Sequence, residues 1–359
     1  MVDSVRIAIF GNSHAEGVQL PALAHIGGNE VVGIAGLDAA KAEATARRWG
    51  IQHATCDWRE LLDLLPDLVM VTTPVDLHAE MVRASLRSGA AVLCEKPFTH
   101  DVRDAEELTE LAVGRLAAVD FQLRFNPHRR KMRELCREGF VGEVRHVRAD
   151  LLLDTPNFVD RPFTWWSQAE RGGGVLGATG SHMIDGIQWM FGPIAAVSAR
   201  LETFVKRRRD AEGVERDVTS DDFAEVWLDL ENGARATVTV SLALRGVSRW
   251  SMEVSGTEGT LRLERERQLL GCRHGDAMNP IPVEEDWLPP EHYGIQGRGP
   301  FAAMNGPFLS KLVEAVARGD SELPRAATFE DGLANVRILQ AARESSRADG
   351  TRISVRLPT

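Results

Sequence analysis

The chain has little of what metal and thiol chemistry needs. Among 359 residues there are four cysteines, Cys56, Cys94, Cys136 and Cys272, widely separated, with no Cys-x-x-Cys pair and no histidine at ligand spacing. That excludes a zinc site and a disulfide scaffold and predicts reduced, mostly buried thiols. No apolar run reaches the roughly 18 residues of a membrane span, and the stretch from Met1 to Phe10 lacks the basic start and apolar core of a secretory leader. A cytoplasmic protein with no membrane partner is expected. Positive charge is short too: the net charge of −10 would repel nucleic acid. The one basic run, Lys206 to Arg209, leads into Asp210, Glu212, Glu215 and Asp217 and is expected at a solvated hairpin tip. Internal repeats are absent.

What remains is the composition of a folded protein, 43% hydrophobic and 26% charged, on a chain long enough for two domains. In the first third, Val5 to Phe10, Val31 to Ala35, Leu68 to Val71, Ala91 to Cys94 and Leu116 to Phe121 alternate with amphipathic stretches. Alternation of this kind predicts a parallel, doubly wound sheet with helices on both faces. Beyond Phe121 the period becomes two. Ala224, Val226, Leu228 and Leu230 share a face, and Asn232-Gly233 reads as a type I′ turn into Ala236, Val238 and Val240. Arg145 to Leu153, Ser251 to Val254 and Leu261 to Leu263 read as further strands of this antiparallel sheet. Phe223 and Trp227 face away from the apolar set, a surface that another subunit could cover. Residues 264 to 300 read as a long loop, with helices near Phe308 to Ala317 and Phe329 to Ser346. The expected domains are 1–121 and 122–359.

Glu95-Lys96-Pro97 follows the run Ala90 to Cys94, so a parallel strand delivers Lys96 to the crevice where such sheets bind ligands. Proline stiffens the turn, as suits an ammonium that must meet a reacting oxygen in one geometry; a surface lysine at a strand end is the competing reading. The first strand runs into Gly11-Asn12-Ser13-His14-Ala15-Glu16, where a dinucleotide loop wants Gly-x-Gly-x-x-Gly. Only Gly11 stands in register. Ser13 would cost about 1 kcal/mol if its position needs positive φ, and Glu16 sits badly if it nears the pyrophosphate. The second strand ends at Gly36, with Asp38 two residues on, able to take the adenosine ribose or to cap the helix Ala39 to Trp49. No arginine follows to hold a 2′-phosphate, which favours NAD over NADP. Thr73 and Pro74 would wall the crevice near the nicotinamide; His78 can contact it or pack. In the second domain, Gly172 to Asp185 places five glycines in nine residues before a helix that sets His182 and Asp185 on one face. Imidazole is suited to take a hydroxyl proton as hydride leaves carbon; a surface pair is the alternative.

With these residues in view, the chain resembles the Gfo/Idh/MocA family of nicotinamide-dependent oxidoreductases nearly end to end. The likeness rests on Val71-Thr72-Thr73-Pro74 with His78, Glu95-Lys96-Pro97, Leu123-Arg124-Phe125-Asn126-Pro127, the segment Gly172 to Asp185, and Asp331-Gly332-Leu333. It implies a Rossmann-type doubly wound domain followed by an α+β domain with a large, mainly antiparallel open sheet. It implies Lys96 as the contact to the substrate oxygen, His182 as general acid/base, and Asp185 as a substrate or orienting contact. Face-to-face association of the second domain's sheets into a homodimer or homotetramer is implied as well. Many relatives carry an aspartate four residues before the histidine, where this chain has Ala178.

The expected activity is NAD(P)-dependent hydride transfer at a secondary alcohol or ketone carbon of a sugar, polyol or related compound. Expected cofactor contacts are Gly11, Asn12, Ser13, His14, Asp38, Thr73, Pro74, His78, Glu95 and Lys96; expected substrate contacts are Arg124, Asn126, Trp165, Trp166 and Asp185. Trp165 and Trp166 can equally be core. The sole tyrosine, Tyr293, has no lysine four residues on, which excludes a Tyr-Lys short-chain dehydrogenase, and the cysteine pattern excludes a zinc alcohol dehydrogenase. Two alternatives stay open: a redox-neutral lyase or glycosidase that keeps NAD bound for transient oxidation, and a non-catalytic nicotinamide or sugar sensor.

Overall fold

The computed structural model describes residues 4–155, 158–284, 290–293 and 299–355. The chain divides into two compact units, 1–125 with 285–333, and 126–284 with 334–359. A single boundary at 121/122 was expected. The difference is the returning segment, which the first unit needs to finish its own core.

In the first unit, strands β1 (Val5–Phe10), β2 (Asn29–Ala35), β3 (His53–Thr55), β4 (Leu68–Val71), β5 (Ala91–Cys94) and β6 (Ala117–Val119) pair in parallel in the order 6-5-4-1-2-3. Strands of such a sheet are covered on both faces, and every residue of β4 is buried. Helices α1 (Asn12–Gly17), α2 (Gln19–Leu23), α3 (Ala39–Trp49), α4 (His78–Ser88) and α5 (Val102–Leu111) alternate with the strands. Asp38 and Asp101 cap α3 and α5 by accepting from the backbone N–H groups of Lys41 and Arg103. The returning segment adds helices Gly299–Ala303 and Asn305–Arg318, and a short strand, Ala327–Thr328, that joins β6 antiparallel at the sheet edge. Phe308, Leu309, Leu312 and Val313 bury against Ile7, Ile9, Met70 and Leu20, and the rings of Phe125 and Phe308 lie 4.8 Å apart. Strand order reverses between β1 and β4, so the ligand crevice of this unit opens where those two strands end.

The second unit holds a nine-stranded sheet. Its strands are β7 (Val144–Leu153), β8 (Ile194–Glu202), β11 (Phe223–Leu230), β12 (Arg235–Ser241), β13 (Ser248–Gly256), β14 (Gly259–Glu264), β15 (Gln268–Arg273), β16 (Asn279–Pro280) and β18 (Ile353–Ser354), numbered in chain order with β9 (Arg207–Arg209), β10 (Glu215–Asp217) and Ala327–Thr328 as β17. Its order is 16-15-14-13-7-12-11-8-18, and only β7 and β12 pair in parallel. Ala224, Val226, Leu228 and Leu230 are buried and alternate with more open positions, as the period required. Helices α6 (Pro127–Arg137) and α7 (Ser181–Phe191) pack on this unit's sheet, and the last helix, Phe329–Arg347, hydrogen-bonds the β8 backbone through Ser345 and Ser346.

Three local expectations change. Asn232-Gly233 is not a type I′ turn: Gly233 has φ +88 while Asn232 is not left-handed, and Leu230 N donates to Ala234 O at 2.9 Å, so the loop has a third residue. Residues 264–300 are not a loop throughout, because β15 and β16 extend the sheet; residues 285–289 and 294–298 of that stretch lie outside the described residues. The basic run is a hairpin, β9 with β10, but Arg208 is buried and donates to the carbonyls of Phe158 and Arg161. Of the cysteines, Cys94 is buried and Cys56 is exposed. No helix among the described residues is long and apolar enough to cross a membrane.

Candidate active site

The crevice of the first unit is built by three turns. At the first, Gly11 has φ +107, and a Cβ there would lie 2.7–2.8 Å from the backbone and Oγ1 of Thr72. Thr72 Oγ1 donates to Gly11 O at 2.6 Å, so the end of β4 braces the turn after β1. No side chain caps α1 and no acid lies in its first turn, which leaves the start of the helix open to a phosphate. Ser13 and His14 are exposed there, and Asn12 is buried against Gly36, whose Cβ would sit 2.7 Å from Asn12 Oδ1. Ser13 is not left-handed, so the expected strain does not arise. Glu16 points to α3, where Arg48 Nη1 and Thr45 Oγ1 donate to its carboxylate at 3.2 and 3.4 Å. Asp38 caps α3, and its other oxygen lies 3.9 Å from Lys41 Nζ. The loop fits a dinucleotide despite its missing glycines: the one backbone position that must be glycine is glycine, and the awkward acid is turned away and paired.

The second and third turns are tied together by His78. It is 1% exposed, with Nε2 2.8 Å from Thr73 O and Nδ1 3.1 Å from Pro97 O and 3.2 Å from Phe98 O. Burial holds its pKa below the usual histidine value, against the pull of these carbonyls and of Glu95. Both ring nitrogens face backbone carbonyls, so His78 braces the turn after β4 against the turn after β5. Thr73 and Pro74 remain part-exposed on the crevice wall. Glu95 is 8% exposed and receives Gln19 Nε2 at 3.0 Å, the Lys96 backbone N–H at 3.2 Å and His14 Nε2 at 3.0 Å. Burial alone would raise its pKa, but His14 and the Lys96 ammonium outweigh it and hold Glu95 ionised far below the usual carboxylate range. Lys96 itself is part-exposed at the end of β5.

Arg124 is 4% exposed and donates to Asp331 Oδ2 at 2.9 Å, a carboxylate that also accepts from the Thr328 backbone N–H. This pair closes β17 onto the unit, which is a structural use of the expected substrate contact. Asn126 is likewise occupied: Oδ1 accepts the His128 and Arg129 backbone N–H groups as the cap of α6, and Nδ2 donates to Glu266 O at 2.9 Å. Sequence reasoning missed Asp120, fully buried at the end of β6 within the run Leu116 to Phe121. A charged residue interrupting an apolar strand was the available signal.

In the second unit the glycine-rich segment is positioned by contacts only glycine permits. A Cβ on Gly173 would lie 2.2 Å from Trp166 O, and one on Gly174, at φ +112, 2.2 Å from Asp221 Oδ1. Leu176 N–H donates to Asp221 Oδ2 at 2.7 Å and Val175 N–H to Asp221 O at 3.0 Å. Asp221 keeps some accessible surface, yet crowding strips its carboxylate of water and pushes its pKa up to about 6. A π-helical turn, Leu176–Gly180, then leads into α7, and Asn335 Nδ2 donates to Ser181 O at 3.0 Å. His182 and Asp185, 2% and 3% exposed, share one face of α7 as expected, and the surface reading is excluded. Trp165 and Trp166 are half-buried in a 3₁₀ turn; Trp166 meets Phe158 edge-on at 5.4 Å, and its carbonyl accepts from Ser220 Oγ.

Comparison with known proteins agrees with this architecture. Residues 5–120 match the model of an oxidoreductase family with an NAD-binding Rossmann fold, GFO/IDH/MocA, and residues 129–262 match the GFO/IDH/MocA C-terminal domain. An uncharacterized oxidoreductase of Synechocystis sp. is 32% identical over 267 residues, 72% of this chain and 71% of that protein. Levoglucosan dehydrogenase of Pseudarthrobacter phenanthrenivorans is 27% identical over 345 residues, 87% of each chain. Among solved structures, an oxidoreductase domain protein from Kribbella flavida superposes with a TM-score of 0.85 at 29% identity, over 99% of this chain and 100% of that one. Levoglucosan dehydrogenase in complex with NADH and L-sorbose superposes with a TM-score of 0.85 at 23% identity over the same shares, a likeness of fold.

Proposed function

The chain belongs to the GFO/IDH/MocA family of NAD-binding oxidoreductases, and we propose that it moves hydride between NAD and a secondary alcohol or ketone carbon of a sugar, polyol or related compound. The observation that carries the reading is the delivery of Lys96 by the end of β5, on a turn whose neighbouring carboxylate is already supplied with donors. Lys96 is part-exposed there, where its ammonium can meet a substrate oxygen. Relatives named for levoglucosan, a sugar, support the substrate class.

In this proposal the turn from Gly11 to His14, Asp38, Thr73, Pro74 and Glu95 hold the cofactor, which when bound supplies the acceptor or donor of hydride. Lys96 hydrogen-bonds the reacting oxygen and stabilises charge that develops on it. His182 takes the hydroxyl proton in oxidation and returns it in reduction, with Asp185 on the same face of α7 to orient imidazole or substrate. Trp165 and Trp166 would offer aromatic surface to the apolar side of a sugar ring. Self-association through the second sheet belongs to the same proposal: Trp227 is 44% and Phe204 53% exposed, and the Phe204 and Phe223 rings lie 5.5 Å apart. The test is Lys96→Met. NADH binding should stay within a few fold of the parent while sugar- or polyol-dependent NAD reduction falls roughly 10²-fold or more; normal turnover by the variant would overturn the assignment.

A further inference from the structure

Glu95 and Asp120 end neighbouring parallel strands, and the Asp120 backbone N–H donates to Cys94 O at 2.8 Å. Their surroundings differ sharply. Glu95 receives three donors, from Gln19, His14 and the Lys96 backbone. Asp120 is 0% exposed, and among the described residues neither of its oxygens makes a hydrogen bond of normal geometry, although the Gln19 side chain is close enough to favour its charged form weakly. A buried, poorly supplied carboxylate is costly, and two carboxylates side by side do not both ionise; an acid that gives its own proton to the adjacent carboxylate removes both problems. Burial first, then the charge of Glu95, hold the Asp120 pKa well above the usual range, with Lys96 pulling the other way. Burial also lowers the pKa of His78 and raises that of Cys94, the remaining titratable groups that feel the pair.

We infer that Asp120 is a positioning residue for Lys96: it keeps one proton between itself and Glu95, so that the pair presents a single, already satisfied negative charge beside the lysine. With both carboxyls ionised, the second, poorly supplied carboxylate would capture the Lys96 ammonium and draw it from the reacting oxygen. Lys96 follows Glu95 directly in the chain, and the Asp120 backbone N–H donates to Cys94 O, so the lysine and both acids stand at the ends of adjacent strands. No bond to substrate changes in this role; one proton resides on Asp120 throughout turnover. The inference rests on the proposed contact between Lys96 and the reacting oxygen.

The test compares the wild-type protein with Asp120→Asn, which is isosteric and permanently neutral, in infrared difference spectra and in kinetics. Without cofactor, in mildly alkaline solution, the wild type should show the C=O band of a protonated carboxylic acid that the variant lacks. As pH rises, the band should vanish in the same range in which wild-type kcat falls, by up to roughly 10²-fold, the worth of one oxyanion donor. Asp120→Asn should keep kcat within a few fold of the neutral-pH value and lose that alkaline fall, with KM and NADH binding little changed. Should the variant not fold, the wild-type band and rate must still titrate together. A missing band, a rate that stays flat while the band vanishes, or a variant whose kcat collapses at neutral pH overturns the inference. The infrared result is independent of Lys96→Met, so failure of the hydride-transfer reading is seen separately.

Discussion

Replacing Glu266 with glutamine removes one charge from a deeply buried ion pair of the second unit. Arg129 Nε and Nη2 donate to the two Glu266 oxygens at 2.7 and 2.8 Å, and the side chains are 1% and 2% exposed. The pair lies under α7: a Cβ on Gly186 would come within 2.5 Å of Arg129 Nη1. Glutamine keeps the shape and leaves the guanidinium buried without its counter-charge, a loss of about 3–5 kcal/mol. In a unit of this size that lowers the melting temperature by roughly 6–20 °C. Scanning calorimetry should resolve the change as a shift of one transition, since two units need not melt together. An Arg129→Met, Glu266→Met pair should recover most of the loss, because it removes both charges. A shift for Glu266→Gln below about 2 °C, under 1 kcal/mol by the same conversion, would refute the reasoning, as would a double variant no better than the single.

Other outcomes follow from single contacts. Because Glu16 is spent on Arg48 and Thr45, Glu16→Gln should leave NADH affinity nearly unchanged; tightening by tenfold or more, about 1.4 kcal/mol, would place that carboxylate at the pyrophosphate after all. Asp221 has its pKa raised from 3.8 to about 6, so its protonated form favours folding: the contribution is complete below the unfolded value and is lost as pH rises through about 6. Asp221→Asn should therefore raise the second unit's melting temperature near about pH 7.5, by an amount worth at most about 3 kcal/mol, and bring little gain near about pH 4.5. Thermal melts across that window check the sign, and a larger gain at the acidic end contradicts it.

Much of this site was legible because its signals are local. The crevice lysine follows from an apolar strand ending in Glu95-Lys96-Pro97, and the shared face of His182 and Asp185 from helical spacing alone. The parts that escaped depend on residues far apart in the chain. Glu16 looked misplaced because its partners lie on α3, and Asn126 and Arg124 were read as substrate contacts with no sign of their bonds to Glu266 and Asp331, 140 and 207 residues away. The β15 strand was hidden by its lack of alternation and by Gly271, which is there because Ile281 and Leu261 press within 3 Å of where its Cβ would be. The returning helix Asn305–Arg318 carries a clear apolar face, but nothing in that face says which unit it covers. Asp120 is the exception, a local signal passed over because the run around it looked like ordinary strand.

The central claim is hydride transfer to carbon. Its most direct test supplies NADH doubly deuterated at the hydride-bearing nicotinamide carbon, together with a panel of keto sugars and keto polyols, and examines the products by mass spectrometry. One deuterium on the carbon that bore the carbonyl, with one NADH consumed per product, is the predicted result. A product formed without label and without net loss of NADH, or no product and no label from any member of the panel while NADH binds, would contradict it.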